Sequence, residues 1–153
     1  MTTTSGCLSI FDIDDTLFHT TAQIAVIKDN SIVDKLSNQQ FNTYKLKLGE
    51  SFDFSEFEDS TKFFNESTPI NRMMMKAKIL LRHSSKNPMN KVIIVTARSD
   101  FNNRELFLDT FRKYDFDIDK VRVERAGNIT DIHDNAVKKF IIIRNYLNTN
   151  SYN

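Results

Sequence analysis

The chain has one cysteine, Cys7, so no disulfide can form within it, and a reducing compartment suits it. Cys7 opens an apolar run and is expected to be a buried small hydrophobe. No apolar stretch reaches the roughly 18 residues a membrane span needs. Met1-Thr2-Thr3-Thr4-Ser5 lacks the basic-then-apolar order of a secretory signal. Neither sign of charge is in excess, with 21 Lys plus Arg against 20 Asp plus Glu, so the totals create no strong pull toward nucleic acid or membrane. There is no internal repeat and no low-complexity linker. The expectation from these absences is a cytoplasmic protein without a membrane partner.

What is present is enough for one ordinary core: 153 residues, 40% hydrophobic and 27% charged, too few for two full domains. Leu8-Ser9-Ile10-Phe11 is a short apolar run that ends abruptly in Asp12-Ile13-Asp14-Asp15. It reads as a buried strand with carboxylates at its C-terminal tip. A second such run, Val92-Ile93-Ile94-Val95, closes on Thr96-Ala97-Arg98. A third, residues 120–124, alternates and is ended by Gly127-Asn128. Between them, residues 70–81, 106–114 and 135–147 carry apolar positions at helical spacing, with Ser99 or Asp100 as N-cap of the second helix. Strands alternating with helices imply right-handed crossovers and a Rossmann-like parallel sheet with helices on both faces. Ligands bind beyond the carboxyl ends of such strands, where the Asp12 and Thr96 clusters both fall.

Residues 18–69 break this rhythm. Two apolar runs, 24–27 and 32–36, flank Lys28-Asp29-Asn30-Ser31 and read as a β-hairpin with Asn30 in the turn. Phe52, Phe54, Phe57, Phe63 and Phe64 follow in a polar, acidic stretch. The segment is expected to be a small insertion over the polar edge of the sheet, its phenylalanines packing it onto the main domain.

Carboxylates crowded at one strand tip repel unless a cation compensates, and a hard divalent ion such as magnesium is the natural partner. The bland alternative is that Asp12, Asp14 and Asp15 cap a following helix. Asp12-Ile13-Asp14-Asp15-Thr16-Leu17 after its apolar strand resembles the first motif of the haloacid dehalogenase-like phosphatases, and Val92-Ile93-Ile94-Val95-Thr96 resembles the second. The resemblance spans nearly the whole chain as a single domain, with the insertion where many members carry a cap. It implies a magnesium-dependent phosphomonoester hydrolase. Asp12 would be the nucleophile, forming an aspartyl-phosphate, and Asp14 the acid/base, with Asp12 and the Asp14 carbonyl on the metal. Thr96 would bind a phosphate oxygen, and Asp15 would serve local capping or support.

The same resemblance places a lysine at the start of a later helix, against the nucleophile. Lys138 is the choice, because Lys139 shares a face with Ile142, Ile143 and Tyr146. Thr-Ala-Arg at 96–98 is similar to the phosphatase halves of phage polynucleotide kinase-phosphatases and to small phage proteins of the family. That similarity makes Arg98 a substrate contact, the alternative being a structural salt bridge, for instance with Asp100. It makes the substrate a nucleotide or a polynucleotide end, and the compartment a host cytoplasm if the gene is a phage's. His19, His83 and His133 show no metal-ligand spacing. The family's last motif, an apolar strand closed by aspartates, is not found by Asn153, and Asp131 and Asp134 follow no apolar strand. Weak magnesium binding is therefore expected, and a catalytically silent protein that holds a phosphorylated ligand or partner is the competing reading.

Overall fold

The computed structural model describes residues 5–150 and residue 152. Its main layer is a three-stranded parallel sheet in the order β1 (Leu8–Phe11), β7 (Lys91–Thr96), β8 (Arg122–Arg125). β7 is central, and its Val92, Ile93, Ile94, Val95 and Thr96 are all buried, as a strand covered on both faces requires. Alternation splits those residues between the faces. Val92 and Ile94 join one core cluster with Met74, Ala77 and Leu81 of α3 (Asn71–Lys86) and Phe107, Leu108 and Phe111 of α4 (Arg104–Arg112). Ile93 and Val95 face the other way, toward α5 (Asn135–Thr149). On that side Tyr146 donates to Glu124 of β8 at 2.5 Å, and the Lys91 ammonium lies 5.2 Å from the Tyr146 ring centroid. Among the described residues no helix is long and apolar enough to cross a membrane.

Segment 18–69 begins and ends in a two-stranded antiparallel pair, β2 (Phe18–His19) with β6 (Thr68–Pro69). Inside it, β3 (Ile24–Lys28), β4 (Ser31–Leu36) and β5 (Glu50–Asp53) form an antiparallel sheet in the order β4-β3-β5, with α1 (Asn38–Phe41) beside β4 and α2 (Ser60–Glu66) packed on α4. The β3–β4 hairpin turns on Asp29 and Asn30, both at positive φ (51° and 59°), the twist that matches two right-handed strands. The phenylalanines divide between two cores. Phe63 joins the main cluster, edge-on to Phe18 at 5.4 Å and beside Phe107 at 5.5 Å. Phe52 and Phe57 pack instead on Ile24, Val26 and Leu36 within the segment, where Phe41 meets Phe52 at 4.9 Å. Of these three, Phe63 enters the main core and Phe57 also meets the main domain through Arg98, 4.8 Å from its ring centroid, whereas Phe52 packs within the insertion.

Several local expectations are corrected. Cys7 is exposed, because it precedes β1 at the sheet margin, where its N–H donates to Asn90 Oδ1 at 2.9 Å. The third strand starts at Arg122, since residues 118–120 form a 3-10 turn that buries Ile118. The N-cap of α4 is Asn103, whose side chain accepts from Leu106 N. Ser99 and the residues after it are occupied by the insertion: Ser99 Oγ donates to Glu58, and Asn102 N–H to the Glu58 carbonyl. Helices α3 and α5 run past residues 81 and 147, to Lys86 and Thr149.

Phe63 is the aromatic that fixes the insertion to the core. Phe63→Ala should cost about 3–5 kcal/mol in urea unfolding, the range for an emptied phenylalanine site. Phe54→Ala, on the exposed rim of the insertion, should cost less than about 1 kcal/mol.

Candidate functional site

The tip of β1 carries Asp12, Asp14 and Asp15 into different surroundings. No helix follows them. Leu17 N–H and Phe18 N–H both return to the Ile13 carbonyl, and Asp15 sits at φ 58° with its N–H on the Phe18 carbonyl. Asp15 is exposed and caps no helix, so the capping reading of the cluster fails. The turn sends Asp12 toward α5 and Asp14 toward the insertion.

Asp12 Oδ2 receives Lys139 Nζ at 2.7 Å, and Oδ1 accepts the Ile13 N–H at 2.8 Å. Both side chains are partly open to solvent, 25% for the lysine and 36% for the aspartate, so the pair can loosen and admit another group. Asp134 places the lysine by capping α5, accepting from Ala136 N and Val137 N at 2.8 and 3.3 Å. Lys139, not Lys138, is thus the lysine that reaches Asp12. The face it shares with Ile142, Ile143 and Tyr146 is the face turned to the sheet, and a long aliphatic stem crosses apolar surface readily.

Asp14 is held more firmly. Arg98 grips it with Nε on Oδ2 at 2.9 Å and Nη2 on Oδ1 at 2.6 Å, and Thr20 Oγ1 adds a bond of 2.6 Å to Oδ1. The third guanidinium nitrogen, Nη1, donates to the Phe57 carbonyl at 2.9 Å. Arg98 is buried, and its guanidinium carbon lies 4.8, 5.3 and 5.4 Å from the ring centroids of Phe57, Phe63 and Phe101. Burial by itself would raise the Asp14 pKa. The Arg98 hydrogen bonds and charge, with the Thr20 hydroxyl, outweigh it and hold the carboxyl below its ordinary range.

Arg98 therefore has Asp14 as its partner, and Asp100 pairs at 3.2 Å with Arg125 instead. Thr96 is fully buried, its Oγ1 accepting the Arg98 N–H at 3.1 Å, so it braces the loop that carries the arginine. Gly127 lies against the same loop. A Cβ there would sit 2.5–2.6 Å from backbone atoms of residues 97–99, a close approach that only glycine permits. Asp12, Asp14, Thr96, Arg98 and Lys139 thus converge beyond the carboxyl ends of β1 and β7. Lys138, His19, His83 and His133 bond to none of the site's carboxylates. Thr20 and the Phe57 carbonyl were invisible as partners in sequence: a threonine just past a short strand and a backbone oxygen carry no signal of their own.

Among the described residues no group of three or more His, Cys, Asp or Glu is placed so that it could hold a metal ion. Asp12, with one oxygen toward Lys139 and solvent nearby, is the carboxylate with room for a cation; Asp14 is spent on Arg98. That donor set fits only an ion carried mostly on water, as magnesium commonly is. Comparison with known proteins gave no matching family model, no matching curated protein and no matching solved structure.

Asp14→Asn leaves a buried arginine without its counter-charge and should cost about 3–5 kcal/mol in denaturant unfolding at neutral pH. The folded Asp14 pKa lies below the ordinary value of 3.8, so the ion pair's contribution is complete above that value and fades as pH falls through the lowered one. The gap between wild type and Asp14→Asn should hold steady from neutrality to about pH 4 and close only below it. A gap that already closes between pH 7 and 5 would contradict this.

Proposed function

We propose that the chain is a phosphomonoester hydrolase of the haloacid dehalogenase-like kind, with Asp12 as nucleophile, Lys139 as its charge partner and the insertion as its cap. The observation that carries this reading is the Lys139–Asp12 pair at a strand tip: an accessible carboxylate whose ammonium partner can also meet an incoming phosphoryl group. The carboxylate attacks phosphorus, the leaving oxygen departs, and water then releases phosphate from the aspartyl-phosphate. Lys139 offsets the charge between nucleophile and phosphoryl oxygens, which would otherwise repel. Magnesium would be held by one Asp12 oxygen and the Asp14 main-chain carbonyl, with waters completing its shell, and when bound it supplies further charge neutralisation. Arg98 and Thr96 act one layer below, setting the position of Asp14 and the loop. The Thr-Ala-Arg sequence similarity to phage polynucleotide phosphatases makes a nucleotide or polynucleotide end the proposed substrate.

One observation favours a second reading, a protein that binds a phosphorylated ligand without turning it over. The acid/base role proposed for Asp14 needs a carboxyl free to give a proton, and both its oxygens already accept from Arg98 and Thr20. The assay that separates the readings uses an aryl phosphate, whose leaving group departs without a proton, in the presence of magnesium. Asp12→Asn should lose essentially all turnover. Lys139→Met should lose about 10²–10³-fold in kcat, and Lys138→Met only a few-fold. Phosphate binding with no turnover in the wild type would establish the silent reading, and an active Asp12→Asn enzyme would remove Asp12 from the chemistry.

A further inference from the structure

β8 is an outer strand. It pairs with β7 along one edge, and along the other no strand or side chain bonds to its backbone among the described residues. An open edge presents N–H and C=O groups in alternation, a template for another extended chain. Beside it runs a cleft of about 480 Å³. One wall is the strand with the turn before it, and the opposite wall is α4 through Arg104 and Leu108. Leu108, Ile118 and Val121 border the cleft but are buried in the main core, so half-buried Val123 is the apolar side chain of its lining that stays partly open. The rim is basic: Arg104, Lys120, Arg122 and Arg125. The lining's one carboxylate, Asp119, is turned to Arg112 at 2.6 Å.

We propose that this cleft docks an extended acidic peptide, which adds to β8 as a further strand between it and α4. Three features select that ligand. A strand edge must be met by donors and acceptors together, which a peptide backbone offers and a phosphodiester backbone, acceptor only at its phosphates, does not. Half-buried Val123 offers an apolar contact to a side chain on one face of an extended chain. The rim selects acidic residues. Arg104 has no ion-pair partner among the described residues, Lys120 holds an exposed pair with Asp117 at 3.1 Å, exposed Arg122 pairs with half-buried Glu124 at 2.9 Å, and half-buried Arg125 pairs with Asp100 at 3.2 Å. An exposed pair such as Lys120–Asp117 is worth about 0–1 kcal/mol and exchanges readily for a ligand's carboxylate, and Arg104 is free to take another. β7 stands between β8 and β1, so the cleft is apart from Asp12, and the inference does not depend on whether that site hydrolyses anything.

The test uses a fluorescein-labelled peptide of alternating glutamate and valine, read by anisotropy at low salt, with no phosphate ester present. Saturable binding is expected. It should weaken with added salt, fall at least about tenfold in Arg104→Glu/Lys120→Glu, and fall as far when lysine replaces glutamate in the peptide. Both substituted residues are exposed, and Arg104→Ala alone carries the test should the double variant not fold. Amide hydrogen exchange across Arg122–Arg125 should slow on binding, a change that adhesion to the basic rim alone would not cause. The proposal is overturned by equal binding of the glutamate and lysine peptides, by binding that ignores the charge reversal, by unchanged exchange in β8, or by no binding up to about 1 mM. Tighter binding of a single-stranded oligonucleotide, lost in the same variants, would overturn it in favour of nucleic acid.

Discussion

The buried Arg98–Asp14 pair is the interaction on which the arrangement of this molecule turns. Taking an arginine and an aspartate out of water costs several kcal/mol per ion, repaid only by good geometry and by partners for every remaining donor. Here the fork meets the carboxylate with two nitrogens, the third donates to the Phe57 carbonyl, and three aromatic rings surround the guanidinium. Those partners come from three places: Asp14 from the tip of β1, Arg98 from the loop after β7, and Phe57 from the insertion. None of the three can shift alone without leaving a buried charge or carbonyl unsatisfied.

The insertion is thereby attached to the main domain twice, by polar and apolar means. Its two ends meet in the β2–β6 pair, Phe63 enters the main core, and the Ser60 hydroxyl donates to the Asn103 carbonyl at 2.8 Å. Its own sheet is roofed by a separate small core of Ile24, Val26 and Leu36 with Phe41 and Phe52. The inner part of the segment is therefore bound to the site, while the β3–β4 hairpin leads away from it with Ile32 and Val33 exposed. Movement of the insertion relative to the sheet would have to break the Phe57–Arg98 contact first.

What could be read from the residues alone was whatever depends on neighbours in sequence. The apolar runs ending in Asp12 and Thr96 point to β1 and the central β7, the helical spacing to α3, α4 and α5, and Asp29-Asn30 between apolar runs to the hairpin. The parallel sheet flanked by helices followed from their alternation. The pairings of the site were not legible, because they join residues 84 and 127 positions apart. Helical spacing places Lys139 on a face with Ile143 and Tyr146, which disfavours it as a site residue. That apolar face is what docks on the sheet, and docking carries the lysine to Asp12. The resemblance to the phage phosphatases makes Arg98 a substrate contact, but Asp14, two residues past Asp12, claims it first. Cys7 and Asn103 were missed where short-range pattern competes with a margin and with the insertion's hydrogen bonds.

Two carboxylates on one strand tip thus meet two cations of different kinds, and the difference assigns their work. Arginine is always charged, planar and, here, enclosed; each of its three nitrogens already donates to Asp14 or the Phe57 carbonyl, and little solvent reaches the pair. Lysine is a compact charge on a flexible stem, and its pair with Asp12 is open to water on both sides, so attraction is screened and the geometry can relax. Under the proposed hydrolase reading, a phosphoryl group would come between Lys139 and Asp12, whose open pair can admit it, rather than approach Asp14, whose oxygens are already taken by Arg98 and Thr20. Asp12 is therefore the carboxylate of this tip that stays open to solvent, held by Lys139 and the Ile13 N–H, while Asp14 is committed to Arg98.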